Sequence, residues 1–327
     1  MSVLVETGEI STVEGLESIR HEWDGLFASC PSSTPFQSPE WLIPWWKSFG
    51  HGSLMFLTMR AGGKLRGLVP LFVEHGEVRL VGGGISDYLG PLFEPLMELP
   101  CTDAFLDHMA RRSNWSRCTL QDLHPSSMLL AMRPPDGLRA VLSPGEVCLG
   151  VNLPHTIEAF RAEYWSKGGK KILKRLSGKA VKTEAAAGVN GTRSFMETLF
   201  RLHTKRWTAV GKSGVLHEPK MRSFHVEAAI GFQKREMLWL YRVTLEGREL
   251  SVLYGFVHKG RLYAYLMGFD PEFSMLSPGK LILLLSAEEF IRRGIYWMDF
   301  LRGGEKYKYD WAPFETWNYN LTITKSR

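Results

Sequence analysis

Three β-rich runs joined by two X–Gly turns constrain this chain more than any other feature in it. Residues 238–245 (LWLYRVTL) meet Glu246-Gly247, 250–258 (LSVLYGFVH) meet Lys259-Gly260, and 261–269 (RLYAYLMGF) follow. Runs of aromatic and β-branched residues separated by two-residue turns ending in glycine read as an antiparallel meander of two hairpins. After a loop at 270–276, Ser277 stands where an N-cap belongs, Pro278 at the first helical position, and Gly294 just past the end of a helix over 278–293. Its apolar positions Leu281, Leu284, Leu285, Ala287 and Phe290 leave little polar face, so burial is expected. Residues 295–301 (IYWMDFL) then read as a strand.

The N-terminal half follows the same plan more loosely. Residues 54–60, a Gly62-Gly63 turn and 65–73 predict a hairpin, and 78–81 extend it. A helix over 102–112 leads into a strand at 118–123, and in both copies that last strand carries an aspartate one residue before a Leu or Phe (Asp122, Asp299). The expectation is an α/β (α+β) chain of two related modules, each a mostly antiparallel twisted sheet flanked by helices. The modules are placed at 1–155 and 186–327, with a basic junction at 156–185. Within that junction, 166–182 (SKGGKKILKRLSGKAVK) holds seven Lys/Arg and no acid. It reads either as a solvated linker or as an electrostatic collar for an anionic ligand.

Composition narrows the class. The 327 residues are 44% hydrophobic and 23% charged with a net charge of +6, which excludes a disordered or fibrous chain and falls short of a dedicated nucleic-acid binder. No apolar run is long enough to span a bilayer. The N-terminal Glu6, Glu9 and Glu14 do not fit a secretory signal. Four dispersed cysteines without a C-x-x-C pair argue against a zinc site or disulfide framework; a cytoplasmic protein without a metal is expected.

Meander, loop, buried helix, strand is the core order of the GNAT acyltransferase fold, so tandem GNAT-fold modules are expected. The segments TPFQSPEW (34–41), GISDYLGP (84–91), LHTKRW (202–207), Leu276-Ser277-Pro278-Gly279 and MDFLRGGEKYK (298–308) resemble the bacterial CelD-type GNAT family. That family is associated with cellulose and exopolysaccharide synthesis and is related to the Fem-type aminoacyltransferases. The resemblance implies an acyltransferase moving an acyl group from acyl-CoA, acetyl-CoA or an acyl carrier protein to an amine or hydroxyl of a cell-envelope or polysaccharide-linked acceptor. Two alternatives stay open: a Fem-like transferase using aminoacyl-tRNA, and a catalytically silent GNAT-fold scaffold in an exopolysaccharide assembly. The Gly-rich turn that docks coenzyme A pyrophosphate in this fold is absent, and Ser277-Pro278-Gly279-Lys280 stands in its place.

The candidate residues follow from chemistry. A helix N-terminus with unpaired N–H groups suits a pyrophosphate, which puts Ser277, Gly279 and Lys280 on the donor; a plain cap needing no ligand is the alternative. Acyl transfer to an amine needs a base, oxyanion stabilisation and an acid for the leaving group. In the turn after the last strand, Tyr307 is the candidate acid, Asp299 or Glu305 the base, and Lys308 the oxyanion or phosphate contact; a lysine in a comparable region of the Fem-type relatives favours Lys308. His203 and Arg206, three apart on one helical face, supply a base and an anion fork. Asp87 and Tyr88, on a loop between glycines, are candidate acceptor contacts in a cleft between the modules.

Overall fold

The computed structural model describes residues 4–326, with the backbone alone at Lys167 and Gly168. The chain divides into two compact units: Met1–Val147 together with Thr316–Arg327, and Cys148–Glu315.

In the first unit, strands β1 (Glu6–Ile10), β2 (Ser53–Ala61), β3 (Lys64–Glu74) and β4 (Glu77–Leu80) pair antiparallel in sequence, and the short β5 (Leu92–Phe93) adds to β3. Helices α1 (Val13–Ser18), α2 (Arg20–Ser29) and α3 (Pro39–Phe49) lie between β1 and β2, and α4 (Glu98–Arg111) follows β5. Strand β6 (Arg117–Leu123) then pairs parallel with β4, and its other edge takes the chain's last strand, Phe314–Lys325, antiparallel. Period-2 alternation splits the side chains between two faces. Met55, Leu57 and Met59 join Phe105 and Met109 of α4 in one core cluster, whereas Phe56 and Phe72 meet Trp23 and Trp45 from α2 and α3. The helix α4 begins four residues before the position predicted from sequence. Pro100 does not stop it, because a proline in the first turn lacks only an N–H that has no helical acceptor there.

The second unit repeats the order. The C-terminal end of β7 (Leu138–Asn152) leads to α5 (Ile157–Phe160), a π-helical stretch, α6 (Lys170–Leu176) and β8 (Val181–Ala185). Helices α7 (Gly188–Thr208) and α8 (Pro219–Lys234) precede the meander β9 (Leu238–Leu245), β10 (Arg248–His258) and β11 (Arg261–Phe269). The helix α9 (Pro278–Arg292) crosses to β12 (Trp297–Arg302), which pairs parallel with β11 and antiparallel with the end of β7. A short α10 (Lys306–Tyr309) precedes β13, the Phe314–Lys325 strand. Trp239 on β9 donates to Ser286 of α9 on one face of the sheet, while Phe256 on β10 packs on Phe232 of α8 on the other.

Both meanders turn the way their sequence demands. Gly62-Gly63, His75-Gly76, Glu246-Gly247 and Lys259-Gly260 all hold both central residues at positive φ. That twist matches the right-handed twist of the flanking strands, and glycine at the second position carries it without a Cβ penalty.

Three expectations are corrected. Residues 316–327 belong with the first unit and 148–155 with the second, so each unit is closed by a strand from the segment that follows the other unit's parallel strand. The basic stretch is no linker: it lies inside the second unit, where α6 buries Ile172 and Leu176 and presents Lys170, Lys171 and Lys174 to solvent. Asp122 and Asp299 are not equivalent. The parallel ladders end at Arg79–Thr119 and Tyr263–Asp299, so Thr119 matches Asp299, and Asp122 lies beyond the ladder at φ 55°.

Candidate active site

Pairing between β11 and β12 ends at Tyr263–Asp299, although β11 continues to Phe269. Where the pairing has ended, a cleft of about 370 Å³ opens within the second unit. Met267 and Phe269 of β11 form one wall, residues 277–280 at the start of α9 a second, and Tyr307, Asp310 and Trp311 a third; Arg206 of α7 closes the rim.

Local sequence explains how the chain enters α9. The Asp270 carboxylate accepts the Glu272 N–H and starts a 3₁₀ turn, Pro271–Leu276, and the Ser277 N–H donates to Ser274 O. Ser277 then takes a left-handed conformation (φ 48°, ψ 57°), and its carbonyl accepts the first helical N–H, from Leu281. Its side chain makes no capping hydrogen bond, and Pro278 has no N–H. The first-turn N–H of Gly279 therefore lacks a helical acceptor at the positive end of the helix dipole. A Cβ on Gly279 would meet the Met267 side chain at 3.3 Å, and anything larger would extend into the cleft.

Arg206 is the most telling residue of this site. Its guanidinium stacks 4.6 Å from the Phe269 ring centroid and 5.3 Å from that of Trp207, and it has no carboxylate partner among the described residues. Desolvation lowers its pKa, opposed by Tyr307 and the Glu305 carboxylate. It stays charged, and a partly desolvated cation without a counter-ion favours an anionic ligand. Lys280, by contrast, is paired with Asp310 at 3.3 Å. The Tyr307 phenol is pushed up to about 12, first by desolvation and then by Glu305, so it is protonated at neutral pH.

Ser277, Gly279, Lys280, Arg206 and Tyr307 thus meet in one cleft, and the other candidates do not line it. Lys308 is buried, with its ammonium on Arg302 O (2.6 Å), Gly303 O (3.0 Å) and Glu305 Oε2 (2.8 Å). Its donors hold the turn after β12 instead of facing a phosphate. Asp299 is also buried, accepting the Leu301 N–H at 2.8 Å with Arg261 3.8 Å away, which makes it a strand-end brace and not a free base. Glu305, the alternative base, is spent on Lys308. His203 accepts the Trp207 indole N–H on Nε2 at 2.9 Å, so the nitrogen lone pair a base needs is occupied. Desolvation, with Arg206 and Arg222 nearby, lowers its pKa to about 4. Asp87 and Tyr88 are buried in the first unit, where Asn318 donates to the Asp87 carbonyl and Tyr88 packs on Phe36 and His124. Sequence reasoning missed Phe269, Asp310 and Trp311; alternation along β11 placed Phe269 beside Met267, but nothing local marked Trp311.

Residues 169–309, which contain most of the cleft's lining but not Asp310 and Trp311, match the family described as Acetyltransferase (GNAT) domain. The matched stretch lies within the second unit. No curated protein matches the sequence. Among solved structures the chain is similar to FemX at TM-score 0.67 and 11% identity, over 97% of this chain and 96% of that one. It is also similar to the C-terminal domain described as that of a lysylphosphatidylglycerol synthetase from Agrobacterium fabrum, at TM-score 0.58 and 12% identity over 95% and 93%. L-PGS from Bacillus licheniformis gives 0.52 and 11% over 88% and 92%. At such identities the likeness is one of fold, a mixed α/β fold with a mostly antiparallel sheet flanked by helices. No described helix is long and apolar enough to cross a membrane.

Proposed function

We propose that the chain is an acyltransferase whose donor, an acyl-CoA, places its phosphates between Arg206 and the start of α9 and runs its acyl arm over Met267 and Phe269 toward Tyr307. The observation that carries this reading is the Arg206 guanidinium, which has no ion-pair partner among the described residues, beside the first-turn N–H of Gly279. An amine or hydroxyl of the acceptor attacks the thioester carbonyl, a C–N or C–O bond forms, and collapse of the tetrahedral intermediate breaks C–S. The protonated Tyr307 supplies the proton to the departing thiolate, and the acceptor's proton passes to water. The resemblance of these motifs to the CelD-type family favours an acceptor linked to polysaccharide or the cell envelope.

A second reading, aminoacyl transfer from charged tRNA, is favoured by one further observation. Arg175 of α6 donates to Met275 O, which sets the exposed Lys170, Lys171 and Lys174 beside the loop leading into α9. A polyanion reaching the cleft would pass over them. The FemX likeness over nearly the whole chain is compatible with this reading.

Equilibrium titration separates the two. Acetyl- and longer acyl-CoAs are expected to bind saturably, with Arg206→Ala and Gly279→Val each weakening binding by about tenfold or more. Unchanged affinity in both variants would remove the donor from this cleft. Under the tRNA reading, neutralising Lys170, Lys171 and Lys174 weakens charged-tRNA binding at low salt, the loss shrinks at high salt, and acyl-CoA does not bind. Binding of neither donor returns the chain to the scaffold reading.

A further inference from the structure

The first unit holds a cleft at the same place in the duplicated plan. A cavity of about 220 Å³ lies beside the start of α4 and the residues just past β6, as the donor cleft lies beside the start of α9 and the residues past β12. Its chemistry is the reverse. Where the second unit offers Arg206 and a helix N–H, the first presents the Glu98 carboxylate, which has no ion-pair or hydrogen-bond partner among the described residues. The wall carries neutral hydrogen-bonding groups. Ser127 Oγ is shut off from solvent without a partner. The Gln37 Oε1 accepts from Thr34 N–H at 2.8 Å and Thr34 Oγ1 at 3.2 Å, but its Nε2 reaches only long contacts of 3.4 Å to Gly90 O and Pro91 O. His124 accepts the Ser126 N–H on Nδ1, which leaves the ring proton on Nε2. Phe93 supplies an apolar face.

Two of the segments singled out in the sequence converge here: 34–41 contributes Gln37, and 84–91 contributes the carbonyls it reaches. The donor cleft uses neither. Such a lining repels phosphate through Glu98 and rewards a ligand that donates a charged hydrogen bond to it while exchanging neutral ones with hydroxyls, amide and imidazole. The volume falls below the ~300–1,000 Å³ of sites for drug-sized ligands, which limits the occupant to about one sugar ring.

We propose that this cleft is a binding site for a small amine-bearing, hydroxyl-rich molecule of the amino-sugar class, with its ammonium on Glu98 and its hydroxyls on Ser127, Gln37 and His124. All of its groups lie in the first unit, so the proposal stands or falls independently of the donor reading.

The test is calorimetric titration of the full chain with glucosamine, glucose and glucosamine 6-phosphate. Glucosamine is expected to bind saturably and roughly tenfold tighter than glucose, as one charge-assisted hydrogen bond predicts, with the phosphorylated sugar weaker than glucosamine. Glu98→Gln should abolish the preference for the amine and leave glucose affinity unchanged, and Ser127→Val should weaken both sugars. A thermal midpoint unchanged from the parent checks that both variants fold. Absence of saturable binding by either neutral or amino sugar, a preference that survives Glu98→Gln, or tighter binding of the phosphorylated sugar would each overturn the assignment.

Discussion

Replacing Tyr307 with phenylalanine is expected to lower turnover of the acyl-transfer reaction by about 10²–10³-fold while leaving donor affinity nearly unchanged. The phenol is the one acidic hydroxyl-bearing ring that lines the donor cleft, and desolvation together with Glu305 holds its pKa at about 12. At neutral pH it is a hydrogen-bond donor, able to protonate a leaving thiolate as charge develops and to recover the proton from water. The ring is 42% exposed, so removing its oxygen leaves no buried cavity and costs little stability. A kcat/KM assay at pH 7.5, with donor affinity measured separately, distinguishes the roles. A drop in kcat alone places the hydroxyl in the transition state, whereas a change confined to KM makes Tyr307 a wall of the cleft. Turnover equal to the parent in the phenylalanine variant would end its candidacy as the acid.

The parts of this molecule that were legible in the sequence are those whose cause is local. Glu246-Gly247 and Lys259-Gly260 announce their turns because a two-residue hairpin needs left-handed backbone, and the glycines are adjacent to the runs they join. The start of α9 is equally local: Pro278 after Ser277 marks it, and five of the eleven candidate residues fall in the cleft it borders. What failed was non-local. The exchange of closing strands depends on Asp299–Gly150 and Leu321–Leu120 pairings across about 150 to 200 residues of sequence, and no periodicity within either strand encodes its partner. Lys308 looked like a phosphate ligand because its type and position suit one, but the carbonyls of Arg302 and Gly303 captured it once the turn closed. His203 looked like a base because histidine titrates near neutrality, until Trp207, one helical turn on, placed its indole N–H on Nε2.

Lowering the pH from 7 to 5 is expected to destabilise the protein steeply, before any carboxylate with a lowered pKa begins to titrate. His203 and His225 are buried between α7, α8 and the sheet, with exposures of 3% and 1%. Desolvation, joined by Arg206 and Arg222, holds His203 at about 4, and desolvation together with His203 holds His225 at about 3. Both lie below the ordinary value of 6.5. The unfolded chain therefore binds protons that the folded chain refuses. Their stabilising contribution is complete above pH 6.5 and is lost as the pH falls through 6.5 toward 4 and 3. Each group costs about 1.4 kcal/mol per pH unit across that window, so the pair removes on the order of several kcal/mol, a large share of the ~5–15 kcal/mol typical of a folded protein. Glu22, Glu77 and Glu272, whose pKa values are lowered by arginine or lysine partners, start from 4.5 and act only below the range measured. Urea unfolding at pH 7, 6 and 5 isolates the histidines. The slope of stability against pH should fall by about half in a His225→Phe variant, since a neutral ring of similar size removes one titration; a pH-independent midpoint in the parent protein between 7 and 5 would show that neither imidazole is held neutral by burial.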